Sequence, residues 1–182
     1  MRPMTAANLR SAFGGESQAH MRYLIYSDKA KEEGFNNISR LFAAVSDAER
    51  IHATRHFQAM SHVKGDFAVT SGAGFGLTTT TESLEIAIGG ETFEINEMYP
   101  AYLAVAKDQG EGDAVESMRR ALLAEKVHAK MYQKAKESAD AGKDMELGVV
   151  QICQECGWTL EGDAPDKCPV CQKPKEYFRA FA

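Results

Sequence analysis

Apolar positions recur at steps of three and four along four long stretches of this 182-residue chain, the spacing of an amphipathic helix. Leu9, Phe13, Tyr23 and Ser27 mark the first stretch, about 4–33, which Gly34 is placed to stop. Ile38, Leu41, Phe42 and Val45 mark the second, about 36–63. Leu84, Ile88 and Met98 follow in a third, opened by the capping box Thr79-x-x-Glu82 and interrupted late by Pro100. Val115, Met118, Leu122 and Tyr132 mark the fourth, about 112–141, with Gly142 as its stop. The segment between the second and third helices, about 64–80, carries Ser71-Gly-Ala-Gly-Phe-Gly and predicts a long crossover connection in a four-helix bundle.

The apolar stripes contain polar residues. Glu16 and His20 lie on the first, Glu49, His52 and His56 on the second, Glu91 and Glu94 on the third, and Glu125 and His128 on the fourth. Burying carboxylates without partners costs several kcal/mol each, so such a line calls for cations. The phrase Glu49-Arg-Ile-His52 returns as Glu125-Lys-Val-His128, and residues three apart share a helix face. Gly14-Gly15 precedes Glu16 as Gly89-Gly90 precedes Glu91, so the two helix pairs read as a repeat, with glycines suited to close backbone approach.

Four helices that each present a glutamate, two of them with a histidine three residues on, form the ligand plan of a carboxylate-bridged dimetal bundle. Glu49 and Glu125 head the two phrases and are the expected bridging pair. Carboxylate-rich ligation with nitrogen donors favours iron over zinc and leaves manganese open. Glu94 is one carboxylate more than a minimal site needs. His20 and His56 read as hydrogen-bonded neighbours rather than ligands. Tyr23 lies on the Glu16 face, while Tyr99 is off the Glu91 stripe on an ideal helix.

After about residue 143 the helical pattern ends, and short runs with turn residues carry all four cysteines, Cys153-x-x-Cys156 and Cys168-x-x-Cys171. Two such knuckles predict a tetrahedral four-thiolate site holding zinc or iron in a small β module, with Trp158, Tyr177 and Phe178 around it. No cysteine remains to staple the bundle, which fits a reducing compartment.

Hydrophobic residues make up 44% of the chain, enough for a sizeable core, and the net charge of −5 argues against nucleic-acid partners. No apolar run approaches the ~18 residues of a membrane span, and no apolar h-region follows Met1. Gly72-x-Gly74-x-Gly76 is too short for a dinucleotide fingerprint. The expected location is cytoplasmic, with no membrane partner.

Gly15-Glu16-Ser17, Glu49-x-x-His52, Gly90-Glu91-x-x-Glu94-x-x-Glu97-Met-Tyr-Pro100, Glu125-x-x-His128, Cys153-x-x-Cys156-Gly157 and Cys168-Pro-x-Cys171 occur in this order. In these motifs the chain resembles the rubrerythrin family over nearly its whole length. The resemblance implies a mostly α fold: a ferritin-like four-helix bundle (1–147) joined to a small rubredoxin-like β metal-binding domain (148–182). It implies a di-iron centre held by Glu16, Glu49, Glu91, Glu94, Glu125 and His128. His52 and Glu94 exchange at one iron, carboxylate when oxidised and histidine when reduced. Tyr23 and Tyr99 match tyrosines beside the site, and Cys153, Cys156, Cys168 and Cys171 match ligands of a rubredoxin-type iron. Gln172 departs from the pattern, since free rubredoxins usually have glycine there.

The function this implies is reduction of hydrogen peroxide to water, in oxidative stress defence. Electrons pass through the four-cysteine iron from an external donor, a rubredoxin or an NAD(P)H-linked reductase. A ferroxidase or other iron-handling protein, and a non-enzymatic electron carrier, are the competing readings. The length of a bundle predicts an intrachain gap between the two metal sites too wide for efficient transfer. A homodimer, domain-swapped or not, is therefore expected, in which the four-cysteine site of one copy faces the dimetal site of the other.

Overall fold

The computed structural model describes residues 1–182. Helices α1 (Pro3–Glu32), α2 (Asn36–Ala59), α3 (Thr80–Phe93), α4 (Tyr99–Asp108) and α5 (Gly112–Asp140) are followed by strands β1 (Val150–Cys153), β2 (Thr159–Glu161) and β3 (Phe178–Phe181). A single π-helical turn, Glu94–Met98, joins α3 to α4 so that the two form one interrupted rod. The four rods of the bundle are thus α1, α2, α3–α4 and α5, with α1 packed on α2 and α3 on α5.

The ends of the rods follow local rules. The Thr79 side chain accepts from the Glu82 amide while the Glu82 carboxylate accepts from the Thr79 amide, the expected capping box. Gly34 and Gly142 end α1 and α5 with the next residue's amide bonded back five positions, Phe35 to Ala30 and Lys143 to Ser138. Helix α2 stops at Ala59, four residues before the periodicity suggests, because Met60–Val63 turn away into the crossover. α2 has no capping side chain of its own. Asp144, from the segment after α5, accepts from the amides of Asn37 and Ile38 and supplies that cap from a distance.

The crossover runs over Gly14 and Gly15. A methyl group on Gly14 would overlap Val69, and one on Gly15 would lie 3.0 Å from the Ser71 hydroxyl. The close approach expected of that glycine pair is therefore made by the crossover. Two apolar clusters flank the polar middle of the bundle. One holds Tyr23, Phe42 and Leu84, and the other holds Leu9, Tyr99 and Met118.

The tail is a three-stranded antiparallel sheet in the order β2-β1-β3. It packs on the bundle of the same chain, Val150 and Ile152 against Ala44, Ala48 and Ile51 of α2. Arg40 ties the connection down by donating to the carbonyls of Leu147, Gly148 and Phe181. Trp158 and Phe178 pack around the cysteines as expected. Tyr177 does not: it is 39% exposed beneath the Lys173 ammonium, because the short turn before β3 directs it outward.

Candidate metal centres

The bundle brings its glutamates and histidines together at mid-height. Helix α1 contributes Glu16, α2 Glu49 and His52, α3 Glu91, and α5 Glu125 and His128, all at most 2% exposed. They fall into two overlapping groups, Glu16–Glu49–His52–Glu125 and Glu49–Glu91–Glu125–His128, each able to converge on one ion with donor atoms within 4.8 Å of one another. Glu49 and Glu125 belong to both groups, the position of bridging carboxylates. The His52 Nδ1 lies 2.9 Å from Glu49 Oε2 and 2.9 Å from Glu125 Oε1. The His128 Nδ1 lies 2.7 Å from Glu125 Oε2 and 3.2 Å from Glu49 Oε1. Both imidazoles therefore turn Nδ1 inward.

Without cations this packing is electrostatically costly. Burial, together with Glu94, Glu125 and Glu49, drives the Glu16 carboxyl well above the usual carboxylate range. Burial and Glu49 push Glu91 up to about 8. Burial also opposes charge on Glu49, but His128 and His52 overcome it and hold this carboxyl low. Burial lowers the two imidazoles, and the facing carboxylates more than reverse that, raising both. Glu16 Oε2 and Glu91 Oε2 are buried without hydrogen-bond partners, and Glu49 Oε1 and Glu125 Oε1 face only imidazole nitrogens. Orphaned carboxylate oxygens aimed at shared points are what two divalent cations would satisfy, so the residues fit a dimetal centre.

A layer of hydrogen bonds holds these groups in place. The Tyr23 hydroxyl donates to Glu91 Oε1 at 2.6 Å, and the Tyr99 hydroxyl donates to Glu16 Oε1. His56 is no ligand: its Nε2 lies 2.9 Å from the Tyr99 oxygen and its Nδ1 2.8 Å from Ser117 Oγ. His20 turns Nδ1 to the Ser46 carbonyl and hydroxyl, away from the carboxylates. Both histidines are the hydrogen-bonded neighbours expected. Glu94 stands apart. It opens the π-helical turn, is only half-buried, and belongs to neither converging group. It borders a cavity of about 230 Å3 lined also by Arg22, Ser71, Gly74 and Gly90.

In the tail the four thiols converge, with Cys153 Sγ 3.5 Å from Cys171 Sγ and Cys156 Sγ 3.7 Å from Cys168 Sγ. Sulfurs this close without a disulfide fit four ligands of one tetrahedral ion. Gln172 takes the left-handed conformation at φ 64°, where glycine is usual, and its side-chain amide donates to the carbonyls of Cys168 and Pro169.

The two centres are neighbours within one chain. The His128 Nε2 lies 2.8 Å from Thr159 Oγ1, and a Cβ on Gly157, the residue after Cys156, would overlap His52 Nε2. Arg55 of α2 donates to the Glu155 carbonyl at 2.5 Å and pairs with the Glu155 carboxylate at 2.9 Å. The intrachain gap expected from the length of the bundle is therefore absent, because the tail folds back over the middle of α2 and α5 rather than beyond their ends. Thr159, Ser117 and Asp144 had no signal in the sequence, since each acts only through partners far away along the chain, and Gly157 was legible as part of its knuckle but not as the neighbour of His52.

A family model described as Rubrerythrin matches residues 7–136, and one described as Rubrerythrin, rubredoxin-like domain matches residues 151–179. Rubrerythrin-2 of Clostridium acetobutylicum is 46% identical over 178 residues, 98% of this chain and 97% of that protein. Nigerythrin of Nitratidesulfovibrio vulgaris is 33% identical over 177 residues, 97% and 86% of the two chains. The solved structure of fully reduced, all-ferrous nigerythrin superposes with a TM-score of 0.86 at 32% identity, covering 100% of this chain and 88% of that one. Mycobacterium tuberculosis bacterioferritin, 16% identical with a TM-score of 0.69 over 78% of this chain and 89% of that one, shares the ferritin-like fold alone.

Proposed function

Because the chain belongs to the rubrerythrin family of di-iron proteins, we propose that it reduces hydrogen peroxide to water. The observation that carries this reading is the seating of a four-cysteine metal site directly over a buried two-metal site, an electron inlet against a centre that needs electrons. The assigned di-iron ligands are Glu16, Glu49, Glu91, Glu125 and His128, with His52 and Glu94 alternating at one iron. What supports that reading is that His52 faces the bridging carboxylates while Glu94 is one carboxylate more than the two converging groups use. When bound, the di-iron centre supplies the two electrons that cleave the O–O bond.

The chain's own residues do the rest. Tyr23 and Tyr99 hold Glu91 and Glu16 by their hydroxyls, fixing which carboxylate oxygens remain for the ions. His56, lowered to about 3 by burial and by His52, stays neutral and keeps the Tyr99 hydroxyl directed at Glu16. A cavity borders Glu94 on the crossover side, the face from which a small oxidant would approach. Gly157, covalently next to Cys156 and against His52, is where electrons from a tail iron would pass to the bundle. The chain has no nucleotide fingerprint, so the reductant is an external rubredoxin or NAD(P)H-linked reductase. No helix is long and apolar enough to cross a membrane, and the proposed setting is cytoplasmic. The domain boundary is proposed at 147/148. A homodimer stays part of the proposal, although this electron path no longer requires one.

The test is anaerobic reduction of the three-iron protein, then rapid mixing with peroxide or with dioxygen. Peroxide is expected to reoxidise the di-iron centre far faster. Fast oxidation by dioxygen and slow oxidation by peroxide would move the protein to the ferroxidase reading, and zinc in the tail with no iron there would remove the electron inlet.

A further inference from the structure

We propose that the four-cysteine domain is a structural part of the di-iron site: Thr159 pins His128, while Gly157 leaves His52 unpinned. The inference rests on the di-iron assignment and not on the identity of the oxidant.

Both metal-facing histidines turn Nδ1 toward the carboxylates and Nε2 toward the tail. What each Nε2 meets is different. Thr159 is fully buried, and its Oγ1 lies 2.8 Å from His128 Nε2 and 3.1 Å from the Gly157 carbonyl. A hydroxyl has one hydrogen, and the carbonyl can only accept, so Thr159 donates to Gly157 and accepts from His128. His128 then carries a proton on Nε2, and a cation at the site would replace the proton that Nδ1 shares with Glu125. Partners of this kind orient metal-bound imidazoles and raise their basicity.

His52 has no such partner. Its Nε2 is buried and unbonded, and it faces the Cα of Gly157, where a side chain would collide with Nε2 and Cδ2 and lie 3.1 Å from the Ala48 carbonyl. Gly157 also sits at φ 77°, a conformation that alanine resists. The tail thus presents a hydroxyl to one ring and a bare backbone to the other. Withdrawal of His52 from its ion breaks no hydrogen bond at Nε2, whereas withdrawal of His128 breaks one.

The experiment uses full-length protein, 15N-labelled at histidine and loaded with zinc(II) at the dimetal site, in which a metal-bound imidazole shows its remaining N–H by NMR. The His128 Nε2–H is expected to exchange slowly with water and the His52 Nε2–H quickly. The reverse order in the native protein overturns the proposal without any variant. Thr159→Val, which keeps shape and removes the hydroxyl, is expected to expose the His128 Nε2–H to exchange. It should also weaken ferrous binding about 10- to 100-fold, the usual cost of losing such a partner. Thr159→Ser is expected to restore both. Unchanged ferrous affinity in Thr159→Val, or loss that Thr159→Ser does not repair, overturns it. The visible absorption of the tail iron reports whether the tail is folded in each variant, and a variant that loses it leaves the native exchange order as the deciding result. None of these readouts uses peroxide, so a failure here is separate from a failure of the peroxidase reading.

Discussion

The Tyr99 hydroxyl donates to the Glu16 carboxylate across the bundle, although an ideal helix aims Tyr99 about 80° away from Glu91. The π-helical turn at Glu94–Met98 resolves this. It accommodates one extra residue, so Tyr99 takes the direction of a residue seven rather than eight positions past Glu91, about 20° from it. Pro100 follows at the start of α4, where its missing amide costs nothing. The π-helical turn therefore serves the site: it returns the chain to register and delivers the hydroxyl.

Tyr99→Phe removes the one donor to Glu16 Oε1 and leaves His56 Nε2 without its partner as well. Losing a hydrogen bond to a buried charged group costs about 1–3 kcal/mol. Urea unfolding of the iron-loaded variant should show a loss of that size, with helix content unchanged. A stability equal to the native protein would mean that the hydroxyl does not hold the carboxylate.

The parts of this site that were legible in the sequence are those written in local spacing. Glu49 and His52 share a face because they are three apart, and so do Glu125 and His128. The cysteine knuckles need only two residues between ligands. The polar interruptions of the apolar stripes located the metal centre because buried carboxylates demand compensation. What was illegible depends on contacts between distant segments. No periodicity announces that Asp144 caps α2, that Thr159 reaches His128, or that the tail returns over α2 instead of extending away. The bundle's length suggested a wide gap only because the docking of the tail was unknown.

His52 and Glu94 are expected to respond differently to removal. His52 belongs to a converging group and Glu94 does not. Under the ligand-exchange reading, His52→Ala should keep the tail iron and weaken ferrous binding about tenfold or more, with slower peroxide turnover. Glu94→Ala should bind ferrous iron nearly as the native protein does and lose iron on oxidation, when the carboxylate is needed. Iron content before and after one peroxide turnover separates the two. Identical behaviour of both variants would remove the exchange.

Asp144 is the cap that α2 lacks. It accepts from Asn37 and Ile38, and the neighbouring Met145 is 2% exposed in the core. Asp144→Ala should cost about 0.5–2 kcal/mol, the range for losing an N-cap. The loss should appear in thermal unfolding and in faster hydrogen exchange at the first turn of α2. Because the same segment leads into the tail, the variant also tests whether this anchor holds the two metal sites together. Tail iron should become more accessible to chelators if it does.

Gln172 supplies the last prediction, since it occupies a left-handed conformation that a side chain resists by about 1–2 kcal/mol. Its own amide offsets part of that by donating to Cys168 and Pro169 at 3.2 and 3.3 Å, both partly solvated. Gln172→Gly relieves the strain and gives up those bonds, so tail stability should change by less than about 1 kcal/mol in either direction. Gln172→Val keeps the strain, adds a β-branch and makes neither bond, so it should weaken the tail by about 1–2 kcal/mol or more. The rate at which a chelator strips the tail iron measures both: near-native for glycine and clearly faster for valine. Equal rates for the two would mean that the turn after Cys171 adapts to a side chain without strain, and that glycine at this position in free rubredoxins answers to something other than backbone conformation.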